Sequence, residues 1–197
     1  MRQKHLEMML ERLSGFSTPK AFKEQYATPA TVAAELLHFA FMRGDLIDMV
    51  YDLGCGCGIL AIGAKVLGAE KVIGFDDDIN VLDIARANAK RLDADVEFVC
   101  ADISSISGKA HTVVMNPPFG AQVKGSDRPF LRKALEVSSV VYSIHNAGSM
   151  EFIKKFISPS VITEYQLIDF PIKRMFRFHT KEIQVIKAEI YRIEKRT

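Results

Sequence analysis

Between residues 47 and 115, short apolar runs alternate with longer stretches of helical periodicity, and the first run leads into Asp52-Leu53-Gly54-Cys55-Gly56-Cys57-Gly58. This alternation limits the possible folds more than any other feature of the chain. Strands are predicted at 49–53, 71–75, 96–100 and 112–115, each nearly continuous in apolar residues. A strand that is apolar on both faces belongs in a sheet covered on both sides, and strand-helix-strand order makes neighbouring strands parallel. Two helices are predicted between them, at 59–67 and 81–92, the second with Leu82, Ala85, Ala89 and Leu92 along one face. The expected architecture is a doubly wound, Rossmann-like α/β fold around a mostly parallel sheet.

The flanking segments fit that frame. Leu6, Met9, Leu10 and Leu13 recur at helical spacing, and Ser14-Gly15 ends the helix. Thr28-Pro29 reads as an N-cap followed by proline at the first helical position, and Val32, Ala33, Leu36, Leu37 and Ala40 carry that helix to about Arg43-Gly44. After Gly120 a polar, glycine-containing stretch to Arg128 is expected to form a flexible loop over the strand ends. A helix at 129–137, a strand at 139–144 and a helix at 149–157 follow, the last broken by Ser158-Pro159. Two β-rich segments, 161–170 and 182–193, make an antiparallel carboxyl-terminal hairpin. Pro171 and the basic-aromatic run Lys173-Arg174-Met175-Phe176-Arg177-Phe178-His179 separate them.

A chain of 197 residues is long enough for one well-buried α/β domain. Its apolar runs fall far short of a membrane span, and the amino terminus has no segment of signal-peptide character, so a soluble, cytoplasmic protein is expected. The net charge of +2 hides an asymmetry: residues 173–197 hold eight Lys or Arg against three Glu. Charge alone leaves two readings of that end open, a solvated face or a phosphate-contacting surface. Cys55 and Cys57 lie between glycines with no further Cys or His pair at zinc-site spacing, so no metal site is expected. They read as small fillers of a tight turn, and Cys100 reads as a core residue.

Glycines after a strand allow backbone to approach a ligand closely, and a helix starting there directs N–H groups at it. Here the spacing is Gly-x-Gly-x-Gly. The second strand ends at Asp76, eighteen residues past Gly58, where this fold places a carboxylate for ribose hydroxyls. Asp77 and Asp78 read as a turn and a helix cap. Ala101-Asp102-Ile103 ends the third strand, and its carboxylate and apolar neighbour suit an adenine amine and ring, or a helix cap. The fourth strand runs into Asn116-Pro117-Pro118-Phe119. The two prolines fix φ and remove donors, leaving a rigid row of carbonyl acceptors. Asn116 adds a side-chain carbonyl and Phe119 a face for a planar ring. Acceptors holding both N–H groups of an exocyclic amine localise its delocalised lone pair and aim it at an electrophile.

At these residues the chain resembles class I methyltransferases that use S-adenosylmethionine. More closely, it resembles the methyltransferase-like 5 family of ribosomal RNA adenine-N6 enzymes. Glu24-Gln25-Tyr26-Ala27-Thr28, the glycine stretch, Gly74-Phe75-Asp76, Asn116 to Gly120, Val141-Tyr142-Ser143-Ile144-His145 and Phe178-His179-Thr180-Lys181 stand in that family's order. Ala27 departs from it, the family more commonly having proline there. The resemblance implies one methyltransferase domain, with 1–45 covering the cofactor site and 46–197 forming the catalytic core. It implies that Gln25 and Thr28 contact the methionine portion of S-adenosylmethionine, with Gly54, Cys57 and Ile59 along the glycine loop and Asp52 also binding the cofactor, that Asp76 holds its ribose, and that Asp102 and Ile103 hold its adenine. Asn116, Pro117, Pro118 and Phe119 hold the target base, with Asn116 also beside the cofactor. It further implies N6-methyladenosine in RNA, ribosomal and of the small subunit, as product, and a small zinc-binding activator of the Trm112 type as partner. Lys173, Arg174, Arg177 and Lys181 are candidate RNA-backbone contacts. A nicotinamide-dependent dehydrogenase leaves the Asn-Pro-Pro-Phe tetrad unexplained, and a non-enzymatic RNA-binding module leaves the whole site unexplained. Glutamine methyltransferases acting on proteins usually carry tyrosine at the Phe119 position, with an added helical domain.

Overall fold

The computed structural model describes residues 1–15, 27–120, 123–173 and 183–196. Seven strands form its sheet: β1 (Met49–Leu53), β2 (Lys71–Asp76), β3 (Glu97–Cys100), β4 (Ala110–Met115), β5 (Ser138–Asn146), β6 (Val161–Lys173) and β7 (Ile183–Glu194). Their order is β3-β2-β1-β4-β5-β7-β6. The first five strands pair in parallel, and β7 runs antiparallel to both β5 and β6. The expected parallel sheet with an antiparallel hairpin is therefore the observed one.

Alternate side chains of each central strand enter two cores. Val50, Val72, Val114 and Tyr142 pack with α1 (Gln3–Leu10), α2 (Ala30–Met42), α3 (Ile59–Val66) and α4 (Ile79–Arg91) on one face. Tyr51, Phe75, Val113 and Val141 pack with α5 (Arg128–Val137) and α6 (Met150–Ile157) on the other. Burial on both faces is why these strands read as continuous apolar runs. α2 touches α1, α3 and β6, which accounts for its buried Val32, Ala33, Leu36 and Leu37 and its weak amphipathic pattern.

Three local expectations are corrected. Pro171 does not end its strand: it lies inside β6, opposite Val185, because β6 is an edge strand where a missing N–H donor is tolerated. Cys100 is exposed rather than core, being the last residue of the other edge strand, β3. Thr28 does not cap α2; Pro29 occupies the N-cap position with no side-chain hydrogen bond. Asp78 does cap α4, accepting from the Asn80 N–H at 3.2 Å.

Away from the carboxyl ends of the strands, Asp45 ties three elements together. Its buried carboxylate accepts from Tyr142 Oη at 2.5 Å and from Arg192 Nε at 2.8 Å, joining the α2–β1 connection to β5 and β7. Pairing and hydrogen bonding are what make a buried charge tolerable there.

Candidate active site

Parallel strands β1 and β4 end side by side, so the residues that follow them share one edge of the sheet. After β1, Gly54, Gly56 and Gly58 have φ of +71°, +52° and +84°. Only glycine adopts a run of this left-handed backbone without strain. The end of β2 anchors the turn: Gly54 N–H and Cys55 N–H both donate to Phe75 O at 2.9 Å. Gly58, the N-cap of α3, has no side chain to offer the first turn. Asp52 fills that role, its Oδ2 accepting from Ala61 N–H at 2.9 Å. Its other oxygen is buried without a hydrogen-bond partner among the described residues. Burial pushes the Asp52 carboxyl up to about 8; the Ala61 hydrogen bond opposes the rise and the nearby Asp76 charge adds to it. Burial, then the Asp76 charge, pushes the Cys57 thiol up to about 12, so it is neutral at pH 7.

Asp76 braces the same turn. Its Oδ2 accepts from Gly56 N–H at 2.9 Å and its Oδ1 from Asp78 N–H at 3.0 Å. Asp102 caps a 3-10 turn at Ile103–Ser105, its Oδ1 accepting from Ser104 N–H at 2.8 Å and from Ser104 Oγ. These bonds hold its carboxyl below the usual range.

The turn opens onto a cavity of about 610 Å³, a size typical of small-ligand sites. The cavity brings together Thr28, Gly54, Cys57, Ile59 and Asn116, with Phe170 and Pro171 of β6 on its wall. Asp52, Asp76, Asp102, Ile103, Pro117, Pro118 and Phe119 do not line it. Asn116 Nδ2 donates to Thr28 Oγ1 at 2.9 Å across 88 residues of sequence. That bond turns the amide so that Oδ1 is the remaining acceptor, and this atom is buried without a partner among the described residues. An unpaired buried acceptor is costly and is retained where a ligand completes it. Phe119 meets Phe170 edge-on, with ring centroids 5.5 Å apart. Gln25, Arg174, Arg177 and Lys181 lie outside the described residues; Lys173 ends β6, and its side chain is likewise outside them.

Two groups to which the sequence assigned no role shape the site. Asn88, fully buried on the apolar face of α4, accepts from Ser14 N–H at 2.9 Å and donates to Ser14 O at 2.9 Å and Cys57 O at 3.0 Å. It clamps the chain after α1 onto the glycine turn. An amide among Leu82, Ala85 and Ala89 was the available signal. His145 contacts Ser143 Oγ at 2.7 Å and Asp127 Oδ2 at 3.6 Å, anchoring the residue that leads into α5. The His145 hydrogen bond holds the Asp127 carboxyl below its ordinary range.

The family model described as methyltransferase small domain matches residues 31–139. The rRNA N(6)-adenosine-methyltransferase METTL5 of Danio rerio is 36% identical over 98% of this chain and 98% of its own. The Drosophila melanogaster Mettl5 enzyme is 33% identical over 98% and 97%. A crystal structure from Pyrococcus horikoshii, named as that of a candidate RNA methyltransferase, superimposes with a TM-score of 0.94 at 40% identity, covering 100% of this chain and 99% of that one. A glycine turn after β1, an asparagine acceptor after β4 and relatives matched nearly end to end lead to one assignment: the chain belongs to the METTL5 family of class I rRNA N6-adenosine methyltransferases.

Proposed function

We propose that this chain methylates the exocyclic N6 amine of an adenine in ribosomal RNA, that of the small subunit, at the Asn116 end of β4. The observation that carries the reading is the Asn116 amide oxygen, buried at the cavity with no partner among the described residues. S-adenosylmethionine, when bound, supplies a methyl group made electrophilic by its sulfonium. The residues present suit such a ligand: the cavity is of fitting volume, and the glycine backbone and the Asn116 amide oxygen, unpartnered among the described residues, stand by it. Gln25 and Thr28 contact the methionine portion, with Gly54, Cys57 and Ile59 along the glycine loop and Asp52 also binding the cofactor; Asp76 holds the ribose, and Asp102 with Ile103 the adenine ring.

Asn116 Oδ1 accepts one N–H of the target amine, and a carbonyl of the Pro117-Pro118 row accepts the other. Drawing both hydrogens toward acceptors moves electron density from the ring back onto nitrogen, and it also fixes the direction in which the lone pair points. Thr28 Oγ1 keeps the Asn116 amide turned for this role. Phe119 offers an apolar face to the base, with Phe170 behind it. The amine nitrogen becomes acidic as it gains the methyl group, so its proton passes to water and no strong base is needed beforehand.

In this reading 1–45 cover the cofactor and 46–197 form the catalytic core. Lys173, Arg174, Arg177 and Lys181 grip RNA phosphates. A small zinc-binding activator of the Trm112 type adds a strand to the open edge of β3. The protein works in the cytoplasm; no helix among the described residues is long and apolar enough to cross a membrane. Incubating the chain with unmodified ribosomal RNA and S-adenosylmethionine, followed by nucleoside mass spectrometry, should yield N6-methyladenosine. A methylated protein glutamine, or no methylated nucleoside, would refute the proposal.

A further inference from the structure

We infer that the outer face of α5 and α6 is a second RNA-backbone surface, on which Arg128 and Arg132 grip the strand as it leaves the active site. The inference rests on RNA being the substrate. The Arg128 guanidinium lies 5.1 Å from the centroid of Phe152, and that of Arg132 lies 5.9 Å from the centroid of Phe156. The two rings are 5.7 Å apart and inclined by 32°, so cations and rings form a two-rung ladder between the helices. The opposite faces of the helices supply Leu131, Ala134, Ile153 and Ile157 to the core, which leaves both arginines and Phe152 exposed.

Charge sets this face apart from an ordinary solvated one. Among the described residues neither arginine forms an ion pair; Glu136 pairs with Lys133 at 3.0 Å and Glu151 with Lys154 at 3.6 Å, while the Asp127 carboxylate, 3.6 Å from His145, lies within electrostatic reach of Arg128. Exposed Lys124 and Lys155 add to the excess of positive charge on this face. A guanidinium stacked by its face on a ring keeps its in-plane N–H donors at the edge, in the fork that matches a phosphate, and has already lost part of its rotamer freedom.

The ladder begins at the active-site rim. β4 and β5 are parallel, so α5, which returns between them, starts at the carboxyl ends of the strands. Phe130 in its first turn packs so closely on the cofactor turn that a Cβ on Gly54 would lie 2.9 Å from its ring. Arg128 folds over Gly125, in the segment that joins the Asn-Pro-Pro-Phe tetrad to α5. Arg132 lies one helical turn on, about 6 Å along the axis, a step comparable to the separation of successive phosphates. An RNA strand delivering its adenine to Asn116 can therefore continue from the rim onto this face.

The test compares the full chain with Arg128→Gln/Arg132→Gln, measuring KM for unmodified ribosomal RNA and its dependence on salt. The double variant should raise KM about tenfold and lower the magnitude of the log-log salt slope by about 1.4, as two single-strand phosphate contacts would. Cofactor affinity, measured by calorimetry as a check on folding, should stay within about twofold. Arg128→Lys/Arg132→Lys should restore the slope, because the charges return. Phe152→Leu/Phe156→Leu should raise KM by about threefold with the slope retained, because only the stacking is lost. If the parent chain methylates RNA and the Gln variant matches it in KM and slope, the inference is overturned and the proposed function stands. If the parent chain methylates no RNA, both fall.

Discussion

Asp52→Asn should make the ligand-free protein more stable at neutral pH, and the gain should grow with pH in a defined window. The Asp52 carboxyl titrates at about 8 in the folded chain against an ordinary value of 3.8. Between those values the unfolded chain has released this proton and the folded chain still holds it. Folding then takes up a proton, so stability falls as pH rises, by about 1.4 kcal/mol per pH unit. The loss begins near the unfolded value, is complete above the folded one, and reaches roughly 4 kcal/mol at pH 7. Relaxation of the surrounding dipoles absorbs part of this, leaving about 2 to 4 kcal/mol. Asparagine keeps an acceptor for the Ala61 N–H, has similar volume and does not ionise. Urea denaturation at pH 4, 5.5, 7 and 8.5 should show the two proteins equal within about 1 kcal/mol at the lowest pH and diverging above it. A stability difference that is independent of pH, or a variant less stable at pH 7, would refute the reasoning.

Four further outcomes are expected. Asn116→Ala should lower turnover at least about a hundredfold while cofactor affinity stays within about twofold, because the lost acceptor acts on the amine in the transition state; parallel calorimetry and turnover assays check this. Asp76→Ala should weaken S-adenosylmethionine binding by roughly 1.5 to 3 kcal/mol in calorimetry, with turnover largely recovered at saturating cofactor. Asn88→Ala strands Ser14 N–H, Ser14 O and Cys57 O, and should destabilise the fold by about 2 to 4 kcal/mol in urea denaturation. Reversing the charge at Arg174 and Arg177 should raise KM for RNA and flatten its salt dependence, with cofactor affinity unchanged in titration.

Much of the fold was legible because the signals were local. The strand cores 49–53 and 112–115 and the helices after Gly58 and Asp78 follow from apolar periodicity and turn chemistry, which act within a few residues. The glycine turn was readable for a related reason: three left-handed residues in close succession admit hardly anything but glycine, so backbone geometry is written directly in residue type. The tetrad was equally plain, since two prolines after a strand allow few conformations. Edge positions were less legible. Whether a proline interrupts a strand, as expected of Pro171, or a cysteine is covered, as expected of Cys100, depends on what lies beside it in the sheet.

Residue types and their spacing thus specified a parallel α/β sheet, a glycine turn after its first strand and the Asn-Pro-Pro-Phe tetrad after its fourth. Tertiary structure decided which side chains meet. Thr28 reads as a helix cap, yet folding carries it to Asn116, and its hydroxyl orients that amide instead. Asn88 reads as an ordinary helix residue, yet it joins Ser14 to the glycine turn over 74 positions. Arg128 and Phe152 lie on separate helices, and only their packing makes a ladder. A local preference depends on neighbours in the chain and so can be read from them. A hydrogen bond or ring contact between distant residues depends on how the sheet orders its strands and on which faces its helices cover, and the chain carries that information only collectively.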